Sequence, residues 1–377
     1  MPDTGQAVAA PSVRSGHVTA LRLFDVAYGI DLRRAEELWA QHAGTASSRA
    51  RLVGTPAKAV RFDVPPLTLT LDPIPIQLGP LAATAGVTAR IYDFGVVALG
   101  LRVQARDQPW ADFSALANLV HAHIGPEGTE SPWESLMARV RALIDGALVK
   151  PTDNAVQEDY LVATVHAFDE RLTADALQDR VDLIPLLSGE ERRLSEPARR
   201  DLLRQSHSYY TDDLVVLTWD RAFIYEPRGD SDVADVLEVA NAQLLEMRAY
   251  DELLDAELPR MYDRVEDTRR PGWRGPARFA AEARRLYTLV AEVTELTERV
   301  DNALQVTEDV YLARIYSAAL DQFRVRLVSA AVDRKLTIIR DTYAALYDEA
   351  SSSRAGLVEW LIVALIALEV GLALVRH

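Results

Sequence analysis

The feature that most constrains this chain is a long apolar run at its C-terminal end. Between Leu357 and Val375 only Glu359 and Glu369 are charged. A helix of about 20 apolar residues spans the roughly 30 Å hydrocarbon core of a bilayer. The run therefore predicts a transmembrane helix over residues 356–375, with Leu357, Trp360, Ile366, Glu369 and Leu374 among its anchoring residues.

The two glutamates in this run carry different costs. Glu359 stands beside Trp360 at headgroup depth, whereas Glu369 lies near the bilayer centre, where a carboxylate costs about 2.5 to 3.5 kcal/mol. Twelve Leu, Ile and Val residues oppose that cost, and insertion is still favoured. An intramembrane acid usually faces protein, so Glu369 indicates self-association. The alternative is a helix buried as a zipper in a soluble oligomer.

Composition excludes several classes of protein. The net charge of −15 argues against a body that binds nucleic acid generally. The absence of cysteine excludes disulfides, thiolate catalysis and Cys-ligated metals. Residues 1–17, which we expect to be disordered, carry no export signal or presequence pattern. The expectation is a single-pass membrane protein anchored at its C-terminus, with its main body in the cytoplasm.

Residues 18–227 mix strand and helix signals without a regular βαβ rhythm, which predicts one α+β domain. The clearest hairpin has strands 87–92 and 96–103 on either side of Asp93-Phe94-Gly95. The other predicted elements are strands at 18–28, 59–63, 67–71, 74–78 and 160–168, a helix that Asp31 caps and that carries Leu32, Ala35, Leu38 and Trp39 on one face, helices at 110–124, 131–149, 173–180 and about 190–205, and a second hairpin at 214–218 and 222–225.

Residues 231–350 show only helical periodicity. Leu286, Val293 and Val300 are spaced seven apart and form a heptad seam. This pattern predicts a long antiparallel, coiled-coil-like region that follows the α+β head, and the seam is longer than one antiparallel neighbour needs. We therefore expect a homo-oligomer.

No catalytic, cofactor-binding or metal-binding constellation stands out. Asp93-Phe94-Gly95 matches a kinase tripeptide, but no Gly-rich loop or catalytic loop accompanies it, so a hairpin turn is expected. His121 and His123 are two apart and diverge on a helix, which does not suit a metal site. No small-molecule substrate is indicated.

A polar row marks the long helix. Asn241, Gln243, Arg248, Tyr250 and Asp251 lie on or beside one face. Three interpretations stay open: a structural network that joins this helix to its neighbours, a ligand or partner site, and a catalytic site.

A basic loop interrupts the helices in this otherwise acidic chain. Arg269, Arg270, Arg274 and Arg278 surround Trp273. The loop is either a plain interhelical turn or a site that binds an anionic protein or RNA near the membrane.

Four segments resemble the family termed "required for meiotic nuclear division". They are residues 215–220 (VVLTWD), 240–251 (ANAQLLEMRAYD), 299–302 with 309–311, and 332–336 (VDRKL). The resemblance, which covers about residues 18–375, implies a membrane-anchored, oligomeric protein. Mitochondrial members are inner-membrane proteins that support translation, whereas this sequence lacks a presequence, which favours a bacterial member.

These observations predict a non-enzymatic, tail-anchored oligomeric scaffold with a cytoplasmic head, whose family resemblance points to a membrane-associated process such as translation. The rival prediction is an enzyme with an unrecognised pocket in the α+β head.

Overall fold

The structure is a computed structural model of the 377-residue chain. The residues that it describes are 10–43, 47–49, 61–62, 64–128, 131–152, 156–190, 192–229, 232–268, 275–305 and 310–348.

A mixed nine-stranded sheet forms the centre of the fold, with the strand order β10-β11-β12-β9-β1-β7-β6-β5-β3. Its neighbours pair antiparallel except β9 and β12, which are parallel. Two small pairs, β2–β8 and β4–β13, lie outside it. The strands are β1 (Ser12–Asp25), β2 (Ala27–Ile30), β3 (Ser47–Arg49), β4 (Arg61–Phe62), β5 (Leu67–Leu78), β6 (Leu81–Ile91), β7 (Val96–Pro109), β8 (Leu148–Pro151), β9 (Gln157–Phe168), β10 (Ser206–His207), β11 (Leu214–Leu217), β12 (Arg221–Tyr225) and β13 (Leu304–Gln305).

Helices follow or separate these strands. They are α1 (Leu32–Ala43), α2 (Trp110–Ile124), α3 (Trp133–Ile144), α4 (Ala174–Arg180), α5 (Ile184–Ser188), α6 (Glu196–Leu202), α7 (Val233–Thr268), α8 (Gly275–Ala303), α9 (Val310–Gln322) and α10 (325–348).

The main hydrophobic core lies on one face of the sheet. Alternate strand residues such as Val18 and Ala20 of β1 and Leu161 and Ala163 of β9 face this core, as the two-residue period of a strand requires. Helix α2 packs here and supplies Phe113, Val120 and other buried residues. A core on one face explains why the strands alternate between apolar and polar residues.

The opposite face is covered only in part. Tyr160, which alternates with the core residues of β9, contacts Phe323 just after α9, with ring centroids 5.1 Å apart. The first half of α7 is buried on all sides from Val236 to Met247. Beyond this cover, Thr88 on β6 and Arg102 and Gln104 on β7 are exposed. Part of this sheet face is therefore open to solvent.

The predicted hairpin around Asp93-Phe94-Gly95 is confirmed. Strands β6 and β7 pair from Ile91 and Val97 outward, and the Tyr92 N–H donates to the carbonyl of Val96 at 2.9 Å. Gly95 has φ +107° and fits against the carbonyl of Ala27. Both features need a residue without a Cβ atom, so the structure of the turn requires the glycine of this tripeptide.

Several predicted boundaries shift. The helix at 110–124 is confirmed, as is the hairpin of β11 and β12. The helix predicted for 131–149 runs only from Trp133 to Ile144, after which β8 pairs with β2. The stretch predicted as helix at 190–205 contains only α6. Strand pairing determines these ends, and the periodicity of residues within one element cannot predict such pairing.

The chain divides into two compact units. Unit 1 comprises residues 1–246 and 299–326 and contains the sheet, and unit 2 comprises residues 247–298 and 327–377. The described part of unit 2 is the second half of α7, most of α8 and α10. Leu254, Leu286, Val293, Leu336 and Ile339 form its buried centre.

The predictions of a C-terminal transmembrane helix, of a tail anchor and of a single-pass membrane location are corrected. Among the described residues, no helix is both long and apolar enough to cross a membrane. The long helices α7 and α8 are amphipathic, with charged residues along their length. Residues 351–377, on which the predicted anchor falls, lie outside the described residues. The fold class is accordingly a mixed α/β protein with a large sheet and long amphipathic helices.

Candidate functional site

The structure distributes the predicted polar row over both units. Asn241 is buried and its Nδ2 donates to the carbonyl of Leu237 at 3.0 Å, one turn back on α7. The Tyr316 hydroxyl of α9 donates to Oε1 of Gln243 at 2.7 Å. These two contacts satisfy buried polar groups and join helices within unit 1.

The rest of the row belongs to unit 2. Lys335 of α10 lies 2.7 Å from Oδ1 of Asp251 and 2.6 Å from Oδ1 of Asp255. Burial lowers the pKa of Lys335, but the hydrogen bonds that its ammonium group donates to Asp251 and Asp255 outweigh that effect and raise it. Tyr250 is buried and Arg248 is exposed. Asp251 therefore contributes to helix packing, and a ligand role for the row stays a prediction.

Two other predicted sets fall largely outside the described residues. The basic loop residues Arg269, Arg270, Trp273 and Arg274 lie there, and Arg278 belongs to α8 without a described side chain. The anchor residues Leu357 and Glu369 also lie there. Binding of an anionic protein or RNA by the basic loop remains a prediction.

An open groove lies between α7 and α8 in the described part of unit 2. It encloses about 650 Å³, and its apolar lining includes Leu253, Ala256 and Leu289. Leu253 is 46% exposed, which is unusual for a leucine on a helix that packs against a neighbour on its other side. Two small residues, Ala256 and Ala281, line the groove and leave its space unfilled.

The rim of this groove carries both signs of charge. Glu257 lies 3.0 Å from Arg285 and 3.9 Å from Arg260, and Arg284 and Glu292 also line the rim. Seen from outside, the groove is an apolar strip flanked by alternating cations and anions. Such a surface can face another copy of itself without placing like charges together.

A ladder of three tyrosines adds exposed aromatic surface on α8 and α10. The rings of Tyr287, Tyr343 and Tyr347 lie 5.9 and 6.1 Å apart along α8 and α10. Tyr287 is 61% and Tyr347 is 58% exposed. Tyrosines are enriched where proteins bind one another. We name the groove residues Leu253, Ala256 and Leu289 together with this ladder the helical surface.

Sequence reasoning missed a buried ionic network in unit 1. Arg90 of β6 lies 2.8 Å from Oδ1 of Asp235 and 3.5 Å from Oε2 of Glu238, and the Tyr92 hydroxyl donates to Glu238 at 2.8 Å. Burial raises the pKa values of Tyr92 and Glu238. The network fastens the start of α7 to the sheet, so its role is structural.

A second buried cation fixes the β11–β12 turn. The Nη1 atom of Arg221 donates to Oδ1 of Asn118 at 2.6 Å and to the carbonyl of Leu186 at 2.8 Å. Gly189 lies against this guanidinium group, where a larger residue would collide with it. His121 lies nearby, and burial followed by repulsion from Arg221 lowers its pKa. Within the described ranges, no group of three potential metal ligands converges.

The sheet with its packed helices defines a mixed α/β protein that carries a helical unit. Residues 15–232 match the family model described as "Uncharacterized protein MJ0711, N-terminal domain", which is more than half of the chain. The chain belongs to this family, whose domain contains the sheet and ends at the start of α7.

One curated relative is similar to this chain. It is the uncharacterised protein MJ0711 of Methanocaldococcus jannaschii, which is 26% identical over 218 residues. The alignment covers 56% of this chain and 66% of the relative, which is just under two thirds of its length. No solved structure matches the chain. The family that these comparisons give is not the meiotic nuclear division family, and nothing in them supports that resemblance.

Proposed function

We propose that this protein is a non-enzymatic scaffold that self-associates through the helical surface. The supporting observation is the density of exposed large apolar side chains in unit 2. Six of them lie on its three helices: Leu253, Tyr262, Tyr287, Leu327, Ile338 and Tyr347. Single exposed apolar residues are ordinary, but a clustered set marks an interaction surface.

A second copy of this chain is the partner that fits best. The rim of the groove presents Arg260, Arg284 and Arg285 beside Glu257 and Glu292. In a two-fold symmetric dimer, each patch meets its own copy and must be self-complementary. Mixed charges around an apolar strip meet this requirement. The glutamates would repel a strongly acidic partner, and the arginines would repel a strongly basic one.

The heptad seam does not supply this interface. Leu286 and Val293 are buried inside unit 2. Their role is to hold the three helices together, so the surface for self-association lies on the outer sides of the same helices.

Light scattering coupled to size exclusion tests the proposal on the full chain. A non-ionic detergent shields the apolar residues 357–375 during the measurement. We expect wild-type protein to elute as a dimer or larger species, and the double variant Leu253→Glu with Tyr287→Ser to elute as a monomer. Both side chains are exposed, so the fold should survive, as circular dichroism can verify.

The matched control alters exposed tyrosines of unit 1. Tyr209 and Tyr210 are 63% and 48% exposed and lie 4.8 Å apart. Tyr209→Ser with Tyr210→Ser should leave the molar mass unchanged. A monomeric wild type at micromolar concentration would refute self-association, and dissociation by the control pair alone would move the interface to unit 1.

A further inference from the structure

Three basic side chains meet on the open part of the sheet, opposite the main core. They are His17 of β1, His166 of β9 and Arg102 of β7, which are neighbouring strands. The two imidazole rings lie 5.3 Å apart. Arg102 pairs with Thr19, and Gln104 pairs directly with His17. Residues two apart on a strand share a face, so Arg102 and Gln104 flank the histidines.

The strands position the histidines through an irregularity. The register between β1 and β9 shifts twice between Val13 and Gly16, first with an extra residue in β1 and then with one in β9. Gly16 approaches the carbonyl of Thr164 so closely that a Cβ atom would lie 2.6 Å from it. Bulges re-aim side chains and are common beside functional sites.

A backbone carbonyl fixes the orientation of His166. Its Nδ1 lies 3.2 Å from the carbonyl oxygen of Glu226. A carbonyl can only accept, so Nδ1 carries the proton and donates. The ring is then held with Nε2 as its other polar atom, which accepts a hydrogen bond in the neutral ring and donates one to an anion when the ring is protonated.

The cluster has a surplus of positive potential. The nearby acid Asp235 binds Arg90 at 2.8 Å, and Glu238 also engages Arg90. Arg102 is exposed and forms no ion pair with the part of the chain that the structure describes. Burial, repulsion from Arg102 and repulsion from His166 together lower the pKa of His17 to about 3. An anion bound beside His17 would favour its protonated form.

We propose that His17, His166, Arg102 and Gln104 bind the phosphate group of a small molecule. The guanidinium fork of Arg102 suits two oxygens of one phosphate, and the Gln104 amide and the His17 imidazole supply further N–H donors. The site lies on the sheet of unit 1 and shares no residue with the helical surface, so this inference is independent of the proposed function.

Histidine proton resonances of the full chain, followed by NMR during titration, test the site. The probes are inorganic phosphate, glycerol phosphate and acetate at constant ionic strength. Phosphate should shift the His17 resonance and raise its pKa from about 3 towards its usual value. Tighter binding of glycerol phosphate identifies an organic phosphate as the ligand. Equal binding of both phosphates means that the phosphate group alone is recognised.

Variants separate a built site from general charge attraction. Arg102→Gln removes a charged fork and should weaken phosphate binding about tenfold or more. The matched control is Arg106→Gln, an exposed arginine on the same strand face, which should leave binding within about twofold. Binding that is equal in both variants, equal for acetate and phosphate, or absent in the wild type would overturn the proposal.

Discussion

At the scale of single residues, His17 should make the stability of the protein depend on pH. Its pKa is lowered from 6.5 to about 3 in the folded chain. Below 6.5 the unfolded chain therefore binds a proton that the folded chain does not. The free energy of unfolding should fall with decreasing pH through this window, by up to about 1.4 kcal/mol per pH unit from this residue.

Urea unfolding of wild-type and His17→Gln proteins across that window measures the effect. The difference between the two unfolding free energies should shrink or reverse as the pH falls, because the variant has no proton to take up. Parallel pH profiles would show that His17 titrates normally in the folded protein.

Some residue pairs could not be found from the sequence. Tyr92 and Glu238 share a hydrogen bond across 146 positions, and Arg221 reaches Asn118 across 103. Periodicity relates residues within one element, and nothing in a single sequence relates Tyr92 to one particular glutamate among many. The turn at Gly95 was predictable because its signal lies in three consecutive residues, Asp93-Phe94-Gly95.

At the scale of elements, the turn between β6 and β7 offers a sharp test. Gly95→Ala should destabilise the protein by about 3 kcal/mol or more, because the left-handed backbone and the Ala27 carbonyl both exclude a Cβ atom. Gly86→Ala on β6 is the matched control, since its Cβ atom would meet nothing closer than 3.9 Å.

Chemical unfolding of both variants decides the point. Gly86→Ala should be near neutral or slightly stabilising. If both alanine variants lost similar stability, generic loss of glycine in a strand would explain the result, and the special role of Gly95 would be wrong.

Element prediction succeeded where one strand or helix carries its own pattern and failed where a partner sets the boundary. Helix α2 was predicted at its observed ends. Helix α3 stops early because the next residues lead into β8, which pairs with β2 more than a hundred positions away. The heptad spacing in α8 predicted an apolar seam for self-association. Leu286 and Val293 of this seam are instead buried within unit 2 of the same chain.

At the scale of the whole molecule, the division into two units cannot be predicted from the order of segments along the chain. Residues 299–326 belong with the sheet although helical residues surround them in the sequence. Phe323 explains why, since it packs on Tyr160 of β9. The membrane anchor was predicted from the apolar character of residues 357–375 alone. None of the described helices is both long and apolar enough to cross a membrane.

The two units should unfold in separable steps, although α7, α8 and α10 each contribute residues to both. Lys335→Met leaves Asp251 and Asp255 of unit 2 without their cation, and Arg221→Met removes the cation buried between α2 and α5 of unit 1. Each change should cost about 1 to 5 kcal/mol within its own unit. Because the two sites share no partner, their effects should add without coupling. Differential scanning calorimetry of the full chain should show two transitions, of which Lys335→Met lowers one and Arg221→Met the other. A single transition lowered by both variants would mean that α7 couples the units into one cooperative body.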